Sequence, residues 1–144
     1  MSEEQVEKFK ESLAKALIAK DHEALDVLLA PWVPVQGTLE ALTKQVASTA
    51  EMWDLDPSAH WPTEFTLDTN GMDYATYVDS VSEYLPLSSI PDQINEDNYV
   101  GWHAIKFGNA DDDLDIDAWA DAWLTVVEIA GGYYAGTIEF IDPD

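Results

Sequence analysis

Trp119-Ala-Asp-Ala-Trp123-Leu-Thr-Val-Val-Glu-Ile129, then Ala130-Gly131-Gly132, then Tyr133-Tyr-Ala-Gly-Thr-Ile-Glu-Phe-Ile141 reads as a β-hairpin. Two β-rich runs flank a pair of glycines, the residue that sits without strain where both central positions of a turn need φ > 0. A two-residue turn at Gly131-Gly132 puts Ile129 opposite Tyr134, Val127 opposite Gly136, Thr125 opposite Ile138 and Trp123 opposite Phe140. Those four pairs share one face, nearly all apolar. Glu128, Thr137 and Glu139 fall with small residues on the other, wetter face. A hairpin with one apolar face does not stand alone in water, so the rest of the chain is expected to cover it.

Working back from the hairpin, residues 99–107 read as a strand with apolar side chains on both faces, as a central position requires. Residues 109–113 form an acidic connection into the hairpin. Tyr74, Tyr77, Val78, Val81, Tyr84 and Leu85 share one stripe of a helix over 73–85. Residues 63–68 alternate as a short strand, and Asn70-Gly71 makes a turn. Val6, Phe9, Leu13, Ala16 and Leu17 line one side of a helix over 3–19. Asp21 caps a second helix over 22–30, with Leu25, Leu28 and Leu29 inward, which Pro31 and Pro34 stop. A third helix starts at Gly37-Thr38, with Leu39, Leu42, Val46, Ala50 and Trp53 on its stripe. Helices first and antiparallel strands after make a single α+β domain over 1–144. Its N-terminal helices pack on one face of a curved C-terminal antiparallel sheet.

The 144 residues carry 29 Asp and Glu against six Lys, with no Arg and no Cys, for a net charge of −23. Such a field repels nucleic acid and anionic membrane, and without Arg there is no planar fork to clamp a phosphate or carboxylate. A basic protein, a cation or a neutral organic molecule suits it better. A negative surface that serves only solubility, or a high-salt habitat, explains the same composition. Without Cys there is no disulfide, thiolate chemistry or Cys-ligated metal. The N-terminus lacks a basic, then apolar, signal segment, and no apolar run approaches the ~20 residues of a membrane helix. A cytoplasmic protein is expected.

Two stretches carry a resemblance. Ala16-Leu-Ile-Ala-Lys-Asp-His-Glu-Ala-Leu-Asp-Val-Leu-Leu-Ala-Pro31 resembles the opening helix pair of the cone-shaped α+β family that includes nuclear transport factor two, ketosteroid isomerase and SnoaL-type cyclases. The terminal hairpin is similar to that family's last strands. The resemblance implies a cone-like sheet with a concave pocket and, because many members are not catalytic, implies chemistry less strongly. No catalytic motif matches, so no functional residue is carried over. The helix at 73–85 falls where the family has sheet or loop.

Asp121 is the leading candidate for chemistry. Alternation puts it on one face with Trp119 and Trp123. If the 99–107 strand pairs back with Phe107 opposite Leu114, Trp102 faces Trp119 and Val100 faces Asp121. A carboxyl group among these side chains is desolvated, which raises its pKa and suits it to proton transfer. A bulge near Ala120 would instead turn Asp121 to solvent, or a backbone amide would satisfy it. A one-residue slip brings His103 onto that face in place of Trp102. His103 as a base needs Asp117 or Asp121 beside it; otherwise it is a packed sheet histidine with one nitrogen bonded. His60 and Trp61 in a Pro-rich loop are candidates for a pocket mouth, while His22 has no role. The three histidines have no metal-ligand spacing. Asp111, Asp113, Asp115 and Asp117 alternate like the first ligands of a calcium loop. Ile116, however, replaces the turning Gly and Ala122 the bidentate Glu. Weak cation binding at Asp111, Asp113 and Asp115, or a solvated hairpin tip, is what remains.

The composition points first to a non-catalytic binding module docking a basic partner, as inhibitors and immunity proteins do. The alternative is a small pocket enzyme (an isomerase, dehydratase or cyclase) acting on a neutral hydrophobic substrate. Asp121 or His103 would be its base, and Trp102, Trp119, Trp123, Trp61 and His60 would line its pocket. A third reading is a subunit that dimerises through its sheet. None of the three calls for a cofactor.

Overall fold

Amphipathic spacing builds the first layer. In a computed structural model that describes residues 3–56, 61–69, 73–84, 90–108 and 120–141, helix α1 spans Glu3–Ala19, α2 His22–Leu28 and α3 Val35–Met52. Asp21 caps α2 by accepting from the Ala24 amide at 3.2 Å. Helix α3 begins directly after Pro34, two residues before the expected start. Its inner stripe of Leu39, Leu42, Val46 and Ala50 is buried. Trp53 leaves that stripe and is 48% exposed, because the helix ends at Met52 and the chain turns through a left-handed Asp54.

Strands β1 (Glu64–Thr69), β2 (Tyr99–Gly108), β3 (Ala120–Ile129) and β4 (Gly132–Ile141) form an antiparallel sheet in the order β1-β2-β3-β4. Helix α4 (Tyr74–Tyr84) lies between β1 and β2 in the chain. The fold is α+β, as the order of elements predicts. Phe65, Ile105, Phe107, Ala122, Leu124, Val126 and Phe140 pack on one side of the sheet against Phe9, Leu13, Leu17, Leu42 and Val46 of α1 and α3. Helix α4 covers part of the opposite side, where Tyr77 and Val81 meet Trp102, Val127 and Ile94. Both faces of the central strands are therefore covered, not one.

Two pairings differ from expectation. The turn residues are Ala130 (φ 52) and Gly131 (φ 86), so Ile129 pairs with Gly132. Moving the turn back one residue shifts every partner by two, which preserves the faces. A bulge at Gly136 then shifts the register by one, which exchanges them. Ile138 and Phe140 consequently pair with Leu124 and Ala122 on the helix side, while Trp123 and Thr125 pair with Glu139 and Thr137 on the other. Gly136 has no room for a side chain: a Cβ there would lie 2.9 Å from both Ile94 and Val127.

The second difference concerns β2. Phe107 pairs with Ala120 rather than Leu114, so Asp121 stands opposite Lys106 rather than Val100, and Trp102 opposite Thr125. Small alanines, Ala120 and Ala122, meet the large Phe107 and Ile105 on the helix side, a complementarity that packing favours.

Candidate functional site

The side of the sheet that carries α4 gathers a cluster of aromatic rings and a chain of hydroxyl groups. Trp102 and Trp123 stack with ring centroids 4.4 Å apart. The Tyr77 ring meets Trp102 edge-on at 5.9 Å and stacks on Tyr99 at 4.7 Å. Alternation along β3 predicts Asp121 and Trp123 on one face, and the structure places them there, joined by Trp102 of β2 through a different pairing from the expected one. The Thr137 hydroxyl donates to Thr125 Oγ1 at 2.7 Å, and Thr125 donates to the Tyr77 hydroxyl at 3.0 Å. Burial raises the pKa of Tyr77 above that of a free phenol, so it stays protonated at neutral pH.

Asp121 occupies the end of this face away from α4. Its Oδ1 is buried and has no hydrogen-bond partner. Burial raises its pKa, and the Lys106 charge across the strand pair only partly offsets that. Ile141 pairs with Asp121 on β4, and Glu139, on the same face, stands opposite Trp123. The arrangement is a carboxyl group of weakened acidity at the edge of an indole floor.

His103 lies on the other side of the sheet, opposite Leu124, under α1. It is 5% exposed, and its Nδ1 accepts from Lys10 Nζ at 3.2 Å. Lys10 is 0% exposed and also reaches Glu7 Oε1 at 2.6 Å. An ammonium group can only donate, so His103 is neutral with its proton on Nε2. Nε2 has no partner. Burial first, then the Lys10 charge, lowers the His103 pKa to about 4, against a smaller opposing pull from Glu7. The sheet stands between His103 and Asp121, so the two do not form an acid–base pair.

Trp61 belongs to neither group. It donates to the Ile18 carbonyl at 2.7 Å and takes Lys20 Nζ over its ring at 4.1 Å. His60, Trp119, Asp111, Asp113, Asp115 and Asp117 lie outside the described residues, and among those described no three His, Asp or Glu side chains converge as a metal site would require.

The sequence reading did not single out Lys10, Lys106 or the Tyr77–Thr125–Thr137 hydroxyl chain. Lys10 left a signal: it follows Val6 by four residues and precedes Leu13 by three, which places it on the apolar stripe of α1. The hydroxyl chain left none, because it depends on which face α4 covers. Among the described residues no helix is long and apolar enough to cross a membrane. Comparison with known proteins gives no match: no family model fits the chain, and no curated protein or solved structure is significantly similar to it.

Proposed function

We propose that this chain is a cytoplasmic, non-catalytic binding module that docks a basic protein. The observation that supports it is the disposition of charge. Lys10 is buried against Glu7 and His103, Lys8 faces Glu4, and Lys20 lies on Trp61. Glu11, Glu23, Asp26, Glu40, Glu51 and Asp54 remain exposed. A net charge of −23, with three of the six lysines so engaged, projects a negative field that accelerates encounter with a cationic surface.

The test is association with basic proteins encoded beside it, measured at low and high ionic strength with a size-matched acidic protein as control. Binding that weakens as salt rises is expected. Binding indifferent to salt, or none, refutes the proposal.

A second reading rests on Asp121. A desolvated, unpartnered carboxyl oxygen next to Trp123 is the environment of a general acid or base acting on a small neutral hydrophobic substrate, in an isomerase, dehydratase or cyclase. His103, enclosed under α1 and bonded to Lys10, is the weaker candidate for that base. Asp121→Asn is expected to abolish turnover with the fold intact; a variant that stays active removes this reading.

A further inference from the structure

Among the described residues β4 is an edge strand, and they close its outer edge along only part of its length. The Ala30 amide donates to the Ala135 carbonyl at 3.0 Å, and Trp32 Nε1 donates to the Gly136 carbonyl at 2.8 Å. Beyond Gly136, none of the described residues hydrogen-bonds to that edge. An open strand edge presents backbone donors and acceptors that another chain can pair with.

Beside the open part lies a groove of about 370 Å³ between α3 and β4, lined by Ala41, Gln45 and Ser48 on one wall and Ile138, Glu139 and Phe140 on the other. Lys44 also borders it. Ala41, Gln45, Ser48 and Met52 follow one another at helical spacing, and Met52, 62% exposed, extends the stripe past the groove.

We propose that this edge is a docking site for an extended, cationic segment of a partner protein, which adds to the sheet as a fifth strand alongside residues 137–141. The assignment rests on the acidic docking reading above and gives it a location. Alternation along β4 dictates the ligand. Ile138 and Phe140 point to the helix side, so the incoming residues facing them are apolar and enter the groove. Glu139 points to the other side, so the residue beside it is Lys or Arg. The recognised chemistry is a strand of alternating apolar and basic side chains. A second copy of this chain is the poorer occupant, because each copy carries −23.

The experiment titrates the intact chain at low ionic strength with an acetylated, amidated peptide alternating Lys and Val. The same peptide N-methylated at alternate residues and a flexible Lys–Ser peptide of equal charge are the comparisons. The first peptide is expected to bind and to slow amide hydrogen exchange in residues 137–141. N-methylation should weaken it about tenfold or more, since several backbone hydrogen bonds are lost together. Ser48→Arg, which fills the groove, should weaken binding as much, whereas Asp26→Asn, an equal change of charge on α2, should not.

If the Lys–Ser peptide binds equally well and residues 137–141 stay unprotected, the edge assignment fails while acidic docking stands. If no peptide binds, both fail. A dimer in sedimentation whose protected amides map to residues 137–141 overturns the assignment in favour of a second copy.

Discussion

Lys10 Nζ donates to His103 Nδ1 at 3.2 Å, joining the first helix to the second strand across 93 positions of sequence. This bond exists only while His103 is neutral. The folded-state pKa, lowered to about 4 from an ordinary 6.5, sets the sign of its pH dependence. Between those values the unfolded chain binds the proton and the folded one does not. Stability is therefore complete above about pH 6.5 and is lost as pH falls toward 4, by on the order of 2–3 kcal/mol. Urea unfolding from pH 7 to pH 5, above most of the carboxylate range, should show this slope, and His103→Gln should flatten it. The same slope in both proteins contradicts the assignment.

The His103 ring also depends on Gly101. A Cβ at Gly101 would lie 2.6 Å from His103 Nε2, and the ring cannot swing aside while Lys10 holds it. Gly101→Ala should cost about 1–3 kcal/mol, as overpacking does. The cost should vanish when Ala is introduced into a His103→Ala background. A thermal-denaturation cycle of the four proteins measures the coupling, and additivity would refute the contact.

At Asp121 the sign is reversed. Its raised pKa means that the folded protein holds this proton more tightly than the unfolded chain, so ionisation at neutral pH opposes folding. Asp121→Asn should raise the melting temperature at pH 7, and the advantage should close as pH falls below the ordinary carboxylate pKa of 3.8. A variant less stable at pH 7 would mean that the carboxylate has a stabilising partner.

Gly136 sets the register of the last strand. Ile94 and Val127 each leave a Cβ 2.9 Å at that position, and its carbonyl accepts the Trp32 indole. Gly136→Ala should lower stability by about 1–3 kcal/mol and weaken the Trp32 bond. The urea midpoint and the Trp32 indole NMR resonance report the two effects, and a midpoint at or above wild type would show that the bulge can accommodate a methyl group.

Much of the scaffold was legible from residue spacing. Helix α1 spans 3–19 as its apolar stripe requires, and α4 and β2 lie within a residue of where their patterns place them. Asp121 and Trp123 were legible as companions because alternation along a strand is a local rule, whereas Trp102 joins them only through the β2–β3 register, which differs from the expected one. The surroundings of Asp121 were not. Its cross-strand partners Lys106 and Ile141 depend on how separate strands align, and a bulge one residue long sends Ile138 and Phe140 to the opposite side from Trp123.

Composition and periodicity alone were enough for the α+β class, the kind of each element and the negative field, because these follow from local spacing and from counting charges. Three-dimensional packing decided the rest. It placed the turn at Ala130-Gly131, buried Lys10 against a histidine far along the chain, put α4 over the second face of the sheet, and left the end of β4 unpaired among the described residues, beside α3. Each of these depends on the fit between segments distant in sequence, where a shift of one residue reverses which side chains meet.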